Sequence, residues 1–188
     1  MHRVLAWFAA GAFLVEVVLA EFALRLLWGR SIADLLLNDH DLGLGLATGL
    51  LVAVVVAALT RAFFDTFARE LTRELFLPIL GRVTNLEIAG LAILPGLGEE
   101  LLFRGALQSA IGIVPASIVF GLLHSGFSRK LLPYGIWAFL VGAVLGTVFQ
   151  WTGNLWGSIV AHAAINASGA VWARRTWARE RMAGTGDE

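Results

Sequence analysis

Three short runs place polar, ionisable side chains among residues that are otherwise almost wholly apolar. Glu99, Glu100 and Arg104 lie in GEELLFRGAL just after Pro95 and Gly96; Phe120 and His124 lie in FGLLHSG; His162 and Asn166 lie in HAAINA. Residues four apart share one helix face, so Glu100 with Arg104, Phe120 with His124, and His162 with Asn166 each form a same-face pair. Carboxylates and imidazoles are the usual proton acceptors and donors of enzymes. Imidazole and amide N–H groups can steady a developing oxyanion. Glu100 and Arg104 can pair, which lowers the cost of burying both. Glu99 has no such partner at ideal spacing and is the candidate general base. A bland reading stands beside this one. The Glu–Arg pair can be a structural staple, and His124, His162 and Asn166 can be interhelical hydrogen-bonding groups.

These residues would have to be positioned inside a membrane. The chain has 188 residues, 58% hydrophobic and only 15% charged, against roughly 45–50% and 25% in a soluble domain. Most of it falls into apolar stretches of about 18 or more residues, enough to cross roughly 30 Å of hydrocarbon. There is no cysteine, which closes disulfide frameworks, thiolate nucleophiles and cysteine-held metals. The formal net charge is zero, and no basic surface points to a nucleic-acid partner.

The pattern predicts an all-α, polytopic membrane helix bundle with six spans: Val4–Trp28, Leu42–Phe64, Leu86–Ala110, Val114–Phe127, Tyr134–Trp151 and Asn154–Trp172. The first has no small-residue cleavage site and reads as a retained helix rather than a signal peptide. The fourth is short for a full crossing. Charge placement agrees with six spans and both termini cytoplasmic, because basic residues gather on that side. Arg3, Arg61, Arg69, Arg73, Arg82, Arg129, Lys130, Arg174, Arg175, Arg179 and Arg181 fall on one side, whereas Arg30, Asp34, Asp39 and Asp41 share the first outer loop.

One amphipathic helix is expected at the inner interface over Asp65–Leu80, with Phe67, Leu71, Leu75 and Phe76 on its apolar face. Glu16, Glu21 and Arg25 on the first helix read as structural, with Glu21 and Arg25 able to pair at i,i+4 and substrate contact as the alternative. Trp28, Trp151, Trp156 and Trp172 sit near expected helix ends as interfacial anchors. With no repeat or linker, residues 1–182 read as one domain, and 183–188 as a disordered tail.

Ionisable groups inside a span cost roughly 2.5–3.5 kcal/mol each, so retained ones face the bundle interior. Counted from the expected outer ends, Glu99 lies roughly 17 Å deep, His124 roughly 15–20 Å and His162 roughly 12 Å. Groups scattered for packing need not agree in depth. Groups that meet at one reaction centre must.

Taken together and in this order, the three motifs resemble those of the CAAX prenyl protease type 2 family, which includes bacterial Abi and bacteriocin-processing relatives. The resemblance spans about residues 86–172. It implies an intramembrane glutamate protease in which Glu99 and His124 activate water, His162 and Asn166 stabilise the oxyanion, and Glu100, Arg104 and Phe120 support them. It implies cleavage near the C-terminus of a membrane-tethered protein or peptide, with the lipid bilayer as the other partner and no cofactor.

Two rivals stay open. Glu99, His124 and His162 could serve as three zinc ligands of a membrane metalloprotease. A non-catalytic bacteriocin-immunity or assembly protein could use the same cavity for binding. Thirteen arginines against one lysine point to a GC-rich bacterial genome, hence to the bacterial cytoplasmic (inner) membrane and away from a prenylated substrate.

Overall fold

Within hydrocarbon, each backbone polar group must be satisfied inside its own segment, which leaves a chain of such apolar runs only helix to adopt. A computed structural model describes residues 2–38 and 40–184, and among them there is no strand. The helices are α1 (His2–Trp28), α2 (Ile32–Leu36), α3 (Leu42–Thr66), α4 (Arg69–Leu80), α5 (Asn85–Ile111), α6 (Ile113–Ser125), α7 (Leu132–Thr152) and α8 (Leu155–Gly184).

Short polar side chains start several of them. Ser31 with Asp34, and Thr84 with Glu87, form capping boxes at the starts of α2 and α5. The Asp41 carboxylate accepts from the Leu44 N–H at 3.0 Å at the start of α3. Two acids expected to crowd the first outer loop are therefore occupied as caps. Asp39 lies outside the described residues.

All six expected spans fall on helices, but their ends and lengths differ. Helix α1 from Trp7, α3 and α7 are long and apolar enough to cross a membrane; α4 and α5 pass together as one span bent by 114°. That gives three candidate spans, or four with the bent pair. Helix α6 has only 13 residues, about 20 Å at 1.5 Å per residue. Its end is fixed by Gly126 and Phe127 in left-handed conformation, at φ 52° and 57°. In α8 the polar His162 and Asn166 dilute an otherwise apolar half. That helix also runs past Trp172 to Gly184, so the expected disordered tail begins helical, and residues 185–188 lie outside the described residues.

The connector expected to be amphipathic is helical as α4, with Leu71 and Leu77 buried; Phe67, placed on the same face by the sequence, is 77% exposed. The reason is local: α3 runs on to Thr66 and Phe67 is its C-cap, so it precedes α4 rather than belonging to its face. Trp172 likewise departs from expectation, lying within α8 against the internal cavity rather than at a helix end.

Small residues let the long helices touch. On α3, a Cβ at Gly49 would collide with the Gly157 carbonyl of α8; on α6, a Cβ at Gly121 would come 2.6 Å from the Gly135 carbonyl of α7. Gly96 of α5 meets Ala163 of α8 in the same way, a Cβ there falling 3.0 Å from the Ala163 nitrogen. Such contacts bring backbones close where the surrounding lipid offers no hydrophobic drive to association. Gly49→Val should therefore destabilise the protein by about 1–3 kcal/mol or more, read as a lower midpoint of a thermal melt in detergent. Gly11→Val, where a Cβ meets nothing within 4 Å, is the control; equal midpoints for the two variants would contradict the close crossing.

Candidate active site

Helix α5 carries the acidic pair at a break in its regular pitch. Pro95 lies inside the helix, and a π-helical stretch follows over Leu101–Leu107. Pro95 removes a backbone donor, and a π-turn widens the helix and shifts the residues beyond it around the axis. Because α-helical neighbours differ by about 100° around the axis, Glu99 and Glu100 address different partners.

Glu100 points into the bundle and is 0% exposed; Arg104 is 2% exposed. Glu100 Oε1 lies 3.0 Å from Arg104 Nη1. The same oxygen accepts from His162 Nδ1 at 2.8 Å. Arg104 Nη2 donates to the Gly142 carbonyl of α7 at 3.0 Å, and its guanidinium carbon sits 4.6 Å from the Phe120 ring centre. The ion pair expected from i,i+4 spacing is present, with an addition spacing alone did not give: Glu100 also holds His162.

The two histidines converge on Glu99. His124 Nδ1 donates to the Phe120 carbonyl at 2.8 Å, since a carbonyl can only accept, and this turns Nε2 toward Glu99 Oε2 at 3.7 Å. His162, fixed through Nδ1 by Glu100, brings its Nε2 to 3.8 Å from the same Glu99 oxygen. Glu99 Oε2 is buried and makes no hydrogen bond. Separations of 3.7 and 3.8 Å exceed a direct hydrogen bond, roughly 2.7–3.2 Å. Asn166, one turn along α8 from His162, also faces the cavity.

Phe120 does more than pack. Its ring lies 4.2 Å from that of His124 and 4.9 Å from that of Phe103, while its carbonyl orients the same imidazole. Tyr134, the sole tyrosine of the chain, was not singled out by sequence; its ring stands 5.5 Å from His124. Gly142 was missed as well, though GAVLG offered a signal. Gly142 and Gly146 on α7 are four apart, as are Arg104 and Gln108 on α5, and the two carbonyls accept from the two side chains at 3.0 and 2.9 Å. Glu21 and Arg25 do pair, Arg25 Nε donating to Glu21 Oε1 at 2.6 Å. Glu16 departs from them and lies against Gly98, beside the acidic pair.

Glu99, His124, His162 and Asn166 line a cavity of about 380 Å³ whose other walls include Phe64, Phe76, Tyr134, Trp137 and Trp172, with no lysine or arginine among its lining residues. A larger cleft of about 640 Å³ at the far end, lined by Arg30, Asp34 and His40, contains none of the candidate residues. Two of the three expected zinc-ligand separations, Glu99 to His124 and Glu99 to His162, are 3.7 and 3.8 Å, against about 3.3–3.6 Å between tetrahedral ligands held at 2.0–2.2 Å.

Comparison with known proteins bears on the same segment. Residues 81–168 match the family model described as type II CAAX prenyl endopeptidase Rce1-like. The uncharacterized protein YpbD of Bacillus subtilis is 33% identical over 121 residues, covering 63% of this chain and 64% of that protein. The protein YxdF of Lactococcus lactis is 33% identical over 132 residues, covering 66% of this chain and 68% of that protein. This chain thus spans about two thirds of the length of the relatives it matches. No solved structure matches it. With the residues of all three motifs inside the matched segment 81–168, a relative 33% identical over 68% of its length, and apolar helices long enough to cross a bilayer, the chain is an integral membrane protein and belongs to the type II CAAX prenyl endopeptidase Rce1-like family.

Proposed function

We propose that the protein is an intramembrane endopeptidase of the glutamate type, cutting near the C-terminus of a membrane-tethered protein or peptide. The observation that carries this reading is the facing of one Glu99 oxygen by the Nε2 atoms of His124 and His162, at 3.7 and 3.8 Å, beside an apolar cavity. A water held against Glu99 and His124 attacks the scissile carbonyl carbon. The new C–O bond forms as a proton passes from water to Glu99, and the carbonyl electron pair becomes an oxyanion. His162 and Asn166 donate to that oxyanion, an interaction strengthened in a dry cavity. Donation from His162 Nε2 requires the doubly protonated ring, because Nδ1 is already committed to Glu100, which is the counter-charge at its side. Collapse breaks the C–N bond, and Glu99 returns its proton to the leaving amine.

The cavity's aromatic and aliphatic walls suit an apolar substrate segment, with no prenyl group required. Glu99→Gln and His124→Ala should each lower cleavage by at least about 10²-fold while leaving the melt midpoint in detergent near wild type. Asn166→Ala should lower kcat by about 10²–10³-fold. The direct test compares membrane peptides from cells carrying the wild-type protein with those from cells carrying Glu99→Gln, where one precursor should accumulate. Undiminished cleavage in Glu99→Gln would refute the glutamate mechanism, and cleavage lost to a chelator and restored by zinc would favour a metal enzyme. An inactive Glu99→Gln that still protects cells from a bacteriocin would favour a binding role.

We also infer six crossings with both termini on the cytoplasmic face of a bacterial inner membrane, α6 traversing a thinned region of the bilayer. Eleven of the fourteen basic residues then lie on the cytoplasmic side, as charge bias requires. Because the chain has no cysteine, single-cysteine variants report sidedness cleanly. Ser128→Cys and Arg175→Cys should label only from the cytoplasmic side and Asn38→Cys only from the opposite side; the reverse pattern would invert the topology.

A further inference from the structure

Glu16 is set apart from the other ionisable groups of α1. Glu21 uses both oxygens, accepting from Arg25 Nε at 2.6 Å and from the Ile32 N–H at 2.8 Å. Glu16 Oε2 is buried and makes no hydrogen bond. Leaving a buried polar group unpaired costs about 1–3 kcal/mol, which leucine or alanine at that position would avoid. Gly98 determines where this carboxyl lies: a Cβ built on Gly98 would collide with Glu16 Oε2 and come within 3.1 Å of Phe13 Cδ2. The residue immediately before the candidate base thus lacks a side chain where a carboxyl from another helix rests on the α5 backbone. From there Glu16 is in electrostatic reach of Glu99 on α5 and of His162 on α8. It is absent from the residues lining the cavity.

We propose that Glu16 is a positioning residue of the hydrolytic site: lodged on Gly98, its carboxyl is the polar backing that keeps Glu99 aimed at His124 and His162. This rests on the endopeptidase reading. Misplacing a reacting group by about 1 Å can cost 10²-fold in rate, so a residue remote from substrate can act on kcat through Glu99. The role asks for a polar group of this size at position 16, which glutamine supplies and alanine does not.

The test uses the full-length protein in detergent or proteoliposomes, with the accumulated precursor as substrate. Glu16→Ala should lower kcat by about 10–100-fold at unchanged KM and with an unlowered melt midpoint, and Glu16→Gln should recover most of that loss. Gly98→Ala, which displaces the carboxyl without deleting it, should reproduce the kcat defect, and it keeps the proposal testable where Glu16→Ala fails to fold. Wild-type kcat in Glu16→Ala or in Gly98→Ala would overturn the proposal, as would a change confined to KM or a glutamine variant as impaired as alanine. The endopeptidase reading fails separately, if folded wild-type protein leaves the precursor intact or Glu99→Gln cleaves it.

Discussion

Arg104 has no route to water, and the arrangement of four helices follows from how its charge is met. Its own helix supplies Glu100 at 3.0 Å, α7 supplies the Gly142 carbonyl at 3.0 Å, and α6 supplies the face of Phe120 at 4.6 Å. The fourth helix, α8, joins through His162, which donates to the Glu100 oxygen that already faces Arg104. A lone charge at this depth would be costly to insert, whereas a charge met by an opposite charge and a carbonyl is tolerated, and removing any one partner would strand the others. The ion pair is therefore a constraint on assembly: α5, α6, α7 and α8 must arrive together for any of its members to be satisfied. Residues at the contacts are small for the same reason. A Cβ on Gly142 would come 3.2 Å from both Arg104 Nη2 and the Phe120 ring.

The adjacency of Glu99 and Glu100 then divides two tasks. With Glu100 neutralised by Arg104, the His162 ring is clamped at Nδ1, and the same ring reaches Glu99 with Nε2. One imidazole spans two neighbouring carboxylates, so the orientation of the structural pair is transmitted to the candidate base through a rigid ring. His124 is fixed by a different device, its own helix's carbonyl four residues back. The two imidazoles are held independently and meet at one oxygen.

What could be read in the sequence follows from how local each signal is. Glu100 with Arg104, Phe120 with His124, and His162 with Asn166 are all i,i+4 pairs set in apolar surroundings, and that contrast made them visible. Glu16 was hidden because it shares α1 with Glu21 and Arg25, which pair with each other and make the whole group look structural. Its association with Gly98 is a contact between helices far apart in sequence, with no local pattern. Tyr134 and Gly142 were hidden likewise. Length and apolarity single out only three helices, or four with the bent pair, as spans, because α6 is short and α8 gives up apolarity to carry His162 and Asn166. Helix α8 also outlasts its apolar part, since Arg174, Arg175, Arg179 and Arg181 are good helix formers and continue the helix to Gly184.

The cavity's outer wall obeys a different physics from its inner end. Polar groups at the inner end are locked by buried bonds, but α4, which contributes Leu75, Phe76, Ile79 and Leu80 to the lining, is tied by exposed ion pairs. Lys130 donates to Glu74 at 2.7 Å and Arg73 lies 3.6 Å from Glu180. Solvent and salt screen such exposed contacts. Edge-on rings of Phe64, Phe76 and Tyr134, with centres 5.2–6.3 Å apart, supply most of the cohesion, and aromatic contacts tolerate sliding better than a buried ion pair does. Opening the wall at α4 would break solvent-screened pairs, apolar contacts and the 3.4 Å bond from the Thr72 hydroxyl to the Phe64 carbonyl, whereas opening between α5 and α8 would strand Glu100 and Arg104.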